Sequence, residues 1–414
     1  MIINRFLKKK INYKNIFLYS SALFLTILII YLIFPTILYS YITPAVENSE
    51  KYFLFVDWSA IIDSIKCKKL GVDVFVTNPC DVLNRTHLYG SILLFIPFFE
   101  NHDYFYYQNF PIFINIIFIL VLMLHFNLRK FPEIILFILT IFNPSTLMLM
   151  ERLNIDIFIF LFLILLCFYR SNILNLFLLA PLTLAKFYPL SLVTLFFLTK
   201  EKKITKNALF VLLFVVLVSI YVYFDRLNFI KIFLSLSQFG AAPNFAFNAN
   251  AFKKIIVFSP NFYNHLLSIF LVCVSLFFIA YTAIKFYKNK VLKDFNFSTY
   301  EEILLMSGGA LLIFTYFLIS NVYYREIYIF CLVPYLLKKY DKNYLFKFVI
   351  YFLIFRYLLF LVSNYYAVFH NQSLLLLARY FIDLCFISAV SGFIINIYII
   401  FLRKLFLQVR KQLF

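Results

Sequence analysis

The stretch Asn207-Ala-Leu-Phe-Val-Leu-Leu-Phe-Val-Val-Leu-Val-Ser-Ile-Tyr-Val-Tyr-Phe224 carries no charge, and it follows directly on Lys200, Lys202, Lys203 and Lys206. A helix of about 20 apolar residues crosses the hydrocarbon core of a bilayer, and lysines at one end mark the cytoplasmic side. Residues 16–41 and 262–285 repeat the pattern. Helices are the expected spans, because lipid offers no partner to an unpaired backbone group. The alternating pattern of a membrane barrel is absent. Composition agrees: the chain is 64% hydrophobic and 14% charged, against about half and about a quarter in a soluble domain. We expect an all-α polytopic membrane protein, a single integral membrane domain over residues 1–414.

The net charge of +19 would suit nucleic acid, but its distribution does not. Most of the 38 Lys and Arg lie in seven clusters, at 5–14, 129–130, 170, 200–206, 285–293, 338–347 and 403–411, each at the end of an apolar run. That is the positive-inside pattern, with anionic membrane lipids as the partners of the clusters and no nucleic acid. The basic start and long first apolar run fit a retained signal anchor.

Taken as cytoplasmic markers, the clusters give roughly 10–12 helices with both termini cytoplasmic. Span 1 (16–40) exits into an outer loop region at 41–110, expected to form short helices along the interface. Spans follow at 111–128, 131–149 and 155–169. Residues 173–199 begin and end beside cytoplasmic charges, so they must cross twice, as two short broken helices around Ala185-Lys186-Phe187-Tyr188-Pro189. Spans at 207–224, 262–284, 303–320, 327–337, 344–363 and 373–402 complete the set, with a second outer loop at 225–260 and a third at 364–372. No internal repeat is visible, which disfavours the usual secondary-transporter architecture.

Region 41–110 holds Glu47, Glu50, Asp57, Asp63, Asp73, Asp81, Glu100 and Asp103. Most of these need no more explanation than a solvated loop. Asp57 is the exception, within Phe53-Leu-Phe-Val-Asp57-Trp58. If residues 54–69 are helical, Asp57, Ala60, Ile61 and Ser64 share a face, whereas Asp63 sits toward Lys66, Lys68 and Lys69 and reads as solvated. Cys67 and Cys80 are the two cysteines in the outer loops, thirteen positions apart on the expected oxidising side. They are read either as a disulfide or as two free buried thiols. Cys167, Cys273, Cys331 and Cys385 lie in apolar runs. The five histidines are scattered, and no metal spacing is readable.

Charged groups at membrane depth are functional candidates. Arg152, Lys186, Arg325, Arg356 and Arg379 are embedded or lie at span edges. The topology puts Arg152, Lys186 and Arg325 on the outer side with Asp57, and cations gathered there suit an anionic ligand such as a lipid phosphate. In Met150-Glu151-Arg152-Leu153-Asn154-Ile155-Asp156, Arg152 and Asp156 are spaced i,i+4 on a helix. They are either a self-neutralising cap, or Asp156 and Glu151 orient Arg152 toward a phosphate. Tyr324-Arg325-Glu326 carries the same two readings. Arg379 and Asp383 read as a structural pair.

Together, Asp57-Trp58, Asn78-Pro79-Cys80-Asp81, Asn143-Pro144-Ser145, Glu151-Arg152-Leu153-Asn154-Ile155-Asp156, Lys186-Phe187-Tyr188-Pro189 and Tyr324-Arg325-Glu326 resemble the GT-C superfamily of membrane glycosyltransferases, in particular its alpha-1,2-mannosyltransferase-like branch. The resemblance spans about residues 54–335. It implies a GT-C-like bundle and an inverting hexose transfer from a polyprenyl-phosphate sugar to a glycan or glycolipid acceptor. The site would face the periplasm or exterior, and Asp57 would deprotonate the acceptor hydroxyl. Arg152, Lys186 and Arg325 would steady the departing phosphate, with Glu151, Asn154, Asp156 and Tyr324 around them and Trp58 and Tyr104 stacking on sugar rings. Where that branch reads Glu-Arg-Gly-Asn, this chain has Leu153 in place of the glycine. No cofactor is implied, since the lipid-linked donor is itself a substrate; a metal stays open. Competing expectations are a transporter or flippase of lipid-linked sugars and a structural membrane protein.

Overall fold

The computed structural model describes residues 55–99, 102–126, 131–201, 203–238, 261–288, 292, 295–318, 323–370 and 373–413. Among the described residues the protein is all-helical, with 82% of them in helix and none in strand. The expected first span and the 239–260 part of the second outer loop lie outside them.

Helix α1 (Val56–Lys69) lies in the region expected as the first outer loop. Asp57 in its first turn and Lys66, Lys68 and Lys69 in its last complement the helix dipole. A short 3-10 turn at Ser91–Phe95 and a π-turn at Phe105–Asn109 follow, and the latter runs straight into α2 (Phe110–Phe126). Next come α3 (Phe131–Ile141) and α4 (Pro144–Arg152), which meet at a 48° bend. Asn143 causes the break: its side chain accepts from the Ser145 N–H, and Pro144 occupies the first turn. α5 (Asp156–Tyr169) and α6 (Asn172–Ala185) are short, and α6 gives way at Lys186 to a 3-10 helix at Tyr188–Phe197. The region 173–199 is thus two short helical pieces broken at 186–187, as its flanking charges suggested.

The remaining elements are α7 (Ile204–Phe224), α8 (Arg226–Gln238), α9 (Asn261–Lys288), α10 (Tyr300–Leu318), a 3-10 helix at Tyr323–Cys331, α11 (Val333–Lys339), α12 (Tyr344–His370) and α13 (Ser373–Leu413). The expected outer loop at 364–372 is mostly helix, because α12 continues to His370. Among the described residues five helices are long and apolar enough to cross a membrane, or six if the bent pair α3–α4 is one span.

The spans differ in what surrounds them. α10 and α13 are largely buried, whereas α7 and the end of α9 expose apolar side chains such as Leu209, Leu212, Val216, Phe270 and Phe277. A wholly apolar exposed helix would be a large sticky patch in water; in lipid it is matched to its solvent. α9 and α13 pack against each other so closely that a Cβ on Gly392 would meet the Thr282 hydroxyl and the Ile279 carbonyl at 2.1 and 2.3 Å. The protein is a polytopic membrane protein with α10 and α13 in its interior.

Candidate functional site

Asp57 is placed by the junction of α1 with the end of α4. Phe55, just before α1, takes a left-handed backbone (φ 63°), and its N–H donates to the Glu151 carbonyl at 2.7 Å. At the other side of the junction Leu153 is also left-handed (φ 44°) and ends α4. A non-glycine residue held there costs on the order of 1–3 kcal/mol, and such strain gathers at sites that need an unusual geometry. Here the two turns bring Asp57, Arg152 and Asn154 together.

Asn154 is the hub. Its Nδ2 donates to Asp57 Oδ2 at 2.6 Å and lies 3.3 Å from the Tyr89 hydroxyl. Its Oδ1 accepts from Lys186 Nζ at 2.9 Å and from the Asp156 N–H at 3.1 Å. Lys186 in turn donates to Asp156 Oδ2 at 2.7 Å, and Tyr328 donates to Asp156 Oδ1 at 2.8 Å. Arg325 Nε sits 3.6 Å from Asp156 Oδ2, with its guanidinium over the Tyr188 ring at 5.0 Å. That separation is an ion pair, not a hydrogen bond, and Arg325 Nε and Nη1 are buried without a hydrogen-bond acceptor.

The expected i,i+4 pairing of Arg152 with Asp156 is not formed. Leu153 breaks the helix between them, so Arg152 turns to Asp57 (Nη1 to Oδ1, 3.4 Å) and Glu151 (Nε to Oε2, 3.9 Å) while Asp156 opens a new helix beside Lys186. Arg325 and Glu326 also part company. Arg325 joins Asp156, and Glu326 faces the bundle interior, where Arg356 contacts it at 2.9 and 3.1 Å and Asp383 at 2.6 Å. Arg379 Nε lies 3.9 Å from Asp383, one turn away on α13, in keeping with a structural pair.

Trp58 is not available to stack on a sugar. It is 3% exposed, packs on Phe110 and Phe158 with ring centroids at 5.0 and 5.6 Å, and donates its Nε1–H to the Tyr106 carbonyl at 2.9 Å. The helical period explains this: the position next to Asp57 faces α2 and α5. Tyr104 is exposed. Tyr324 is the second residue of the 3-10 helix, and its side chain is outside those described.

Asp63 is not solvated either. It is buried, accepts a hydrogen bond from the Tyr107 hydroxyl, and its carboxyl is pushed up to about 6 by burial, with Asp81 adding to the effect and Tyr107 and Lys66 opposing it. Lys66 bridges instead to Asp103 at 2.8 Å.

Three participants were not singled out in the sequence: Arg85, Tyr89 and Tyr328. Arg85 grips Asp81 with two bonds of 2.9 and 3.0 Å, donates to the Val56 carbonyl at 2.8 Å, and holds Nη1 3.6 Å from Asp57 Oδ1. Its spacing four residues after Asp81 was the available signal. Cys67 and Cys80 are bonded, which ties the end of α1 to the loop that carries Asp81 and Arg85. Tyr89 reaches the hub because Gly90 presses on α6: a Cβ there would sit 1.6 Å from the Leu184 carbonyl oxygen, and the Gly90 N–H donates to the Ala185 carbonyl at 3.0 Å.

Chemically, the site is a nearly balanced set of acids and bases in which one carboxylate differs from the rest. Asp156 is fully buried, with both oxygens taken by Lys186, Tyr328 and the Arg325 charge. Asp57 has one short bond, from a neutral amide, and two longer ionic contacts, with its side chain 11% exposed. Each carboxylate has three partners, but those on Asp57 Oδ1 are long and its side chain is partly exposed, so Asp57 is the one of the two that a ligand can reach. Among the described residues no three His, Cys, Asp or Glu side chains are grouped as metal ligands. No family model, curated protein or solved structure matches the chain.

Proposed function

We propose that the protein is an inverting glycosyltransferase of the GT-C type, moving a hexose from a polyprenyl-phosphate donor to a glycan or glycolipid acceptor. The observation that carries this is the pairing of a partly exposed carboxylate, Asp57, with three cations held at one cluster: Arg152 on Asp57, Lys186 on Asn154 and Asp156, and Arg325 on Asp156. The acceptor O–H gives its proton to Asp57 as the oxygen attacks the anomeric carbon. The bond from that carbon to the donor phosphate breaks, and its electron pair leaves on the phosphate. Arg325, with buried N–H groups that lack an acceptor, and the half-buried Arg152 would meet the charge growing there, where preorganised donors act most strongly. Asp156 and Tyr328 hold Lys186 and Arg325 in position. The architecture proposed with this chemistry has about 10–12 spans, both termini cytoplasmic and the site facing the periplasm or exterior.

A second reading is a flippase or transporter of the same lipid-linked sugars. The buried Arg356–Glu326–Asp383–Arg379 cluster favours it, since charges inside a bundle can line a transport path. Asp57→Asn in proteoliposomes separates the two. It keeps the shape of the side chain and removes its basicity. We expect intact donor binding and sugar transfer reduced about 100-fold or more, within the range for general acid–base catalysis. Near wild-type transfer in this variant would remove the transferase reading, and loss of donor translocation without any transfer chemistry would favour the flippase.

A further inference from the structure

A cavity of about 390 Å³ lies between the loop after α1 and the junction of α7 with α8. Its wall is mixed in the way that suits a polyhydroxy ligand. Asp73, Asp225, Asn228 and Lys68 supply acceptors and donors, and Phe95 and Phe224 supply rings that are 68% and 82% exposed. The polar groups are held in place. The Ser91 hydroxyl bonds both Asp225 and the Tyr221 hydroxyl, and Asn228 Nδ2 donates to Asp225 Oδ1 at 2.7 Å. Asp73 pairs with Lys231 and accepts from the Phe75 N–H. Lys68 lies over the Phe95 ring at 4.3 Å. Each carboxylate still has acceptor positions left for ligand hydroxyls. Acid and base are close to balanced in this wall, so the cavity suits a neutral ligand. Convergent polar groups beside apolar faces in a pocket of this volume are the ordinary composition of a small-molecule site.

Its position relates it to the charged cluster. Tyr89 touches Asn154 and lies under Lys186, while Ser91 faces the cavity. Two residues of chain span at most about 7 Å, and Gly90 between them is pinned to Ala185. We infer that this cavity binds a neutral saccharide and, on the transferase reading above, anchors a part of the acceptor away from the reacting hydroxyl, since Lys68 in its wall stands at the other end of α1 from Asp57, about 16 Å along the helix.

The test is binding without any donor. The full chain in nanodiscs of sugar-free phospholipid is mixed with millimolar methyl mannoside, methyl glucoside or methyl galactoside, and saturation transfer from protein to sugar is read by NMR. We expect transfer to at least one glycoside, with affinity weakened about tenfold or more, a full unit in log Kd, in Phe224→Ala and in Phe95→Ala. Both rings are exposed, so neither truncation threatens folding, and retained helicity checks that. Asp57→Asn should still bind the glycoside. The inference is overturned if no glycoside binds the wild type, if both ring variants bind unchanged, or if glycerophosphoethanolamine displaces the sugar more strongly than a second glycoside does. Because no transfer is measured, failure here is distinct from failure of the Asp57 assignment.

Discussion

Asp63 shows how far a single carboxylate departs from its sequence context. Three lysines follow it within six positions, yet it turns inward to Tyr107. Its carboxyl, ordinarily near 3.8, is pushed up to about 6 by burial, so the folded state holds its proton more tightly than the unfolded chain. Its contribution to stability is complete below pH ~4 and is lost as the pH rises through 6. We therefore expect Asp63→Asn, which still accepts from Tyr107, to be more stable than the wild type at pH 8. The advantage should be at most about 2–3 kcal/mol, since a pKa unit is 1.36 kcal/mol, and should shrink toward pH 4. Thermal unfolding midpoints of the two forms across that range decide it; a pH-independent difference would mean that Asp63 is not buried as an acid. The positions of Arg152, Lys186 and Arg325 were legible in the sequence because cations in apolar runs are few and hard to explain away. Tyr89 and Tyr328 were not legible, because nothing distinguishes them among 31 tyrosines. Trp58 was misjudged for a similar reason: an aromatic beside a candidate base invites a stacking role, and only packing shows that α2 and α5 cover it.

At the scale of elements, the site depends on where helices stop. The i,i+4 pairing of Arg152 with Asp156 failed because it assumed an unbroken helix. Leu153 instead takes the left-handed turn that glycine enters without strain, and it is fully buried while doing so. Its two roles predict an inverted mutational order. Leu153→Ala loses core contacts, at about 2–5 kcal/mol for a buried leucine, and keeps the backbone strain. Leu153→Gly loses slightly more side chain but relieves the strain, a difference of up to about 1 kcal/mol at a left-handed position. The glycine variant should thus unfold at a higher temperature than the alanine variant. The opposite order would mean that α4 does not end in a left-handed residue. The Cys67–Cys80 bond is a second device at this scale, closing a loop of thirteen positions directly before Asp81, which holds Arg85 near Asp57. By the chain-entropy model such a closure contributes roughly 3 kcal/mol. Replacing both cysteines by serine should lower the unfolding midpoint and also lower sugar transfer, because Arg85, which contacts Asp57, loses its anchored loop. An unchanged midpoint in the double variant, measured under oxidising conditions, would show that the bond does no structural work.

For the whole molecule, apolar exposure marks what faces lipid, and the lysine clusters carry the proposed sidedness. α7 follows a lysine cluster and exposes nearly all of its length, while the Asp57 cluster gathers at the ends of α1, α4 and α6. The general class was readable because twenty-residue apolar runs admit few structures. The breaks at 142–143, 153 and 186–187 were only partly readable, because Asn143-Pro144 and Pro189 announce themselves and Leu153 does not. The sidedness proposed from the lysines is testable directly. With Cys167, Cys273, Cys331 and Cys385 replaced by serine, Val82→Cys places a thiol on an exposed position of the loop that carries Arg85, and Lys342→Cys places one on an exposed position between α11 and α12. A membrane-impermeant maleimide added to intact cells should label Val82→Cys at once and Lys342→Cys only after permeabilisation. Moving a loop with several cations to the outer face would oppose the charge bias that orients the chain, so a mixed result is not expected. Labelling of Lys342→Cys in intact cells would invert the topology and put the Asp57 cluster on the cytoplasmic face, where a lipid-linked donor would have to be presented from the inner leaflet.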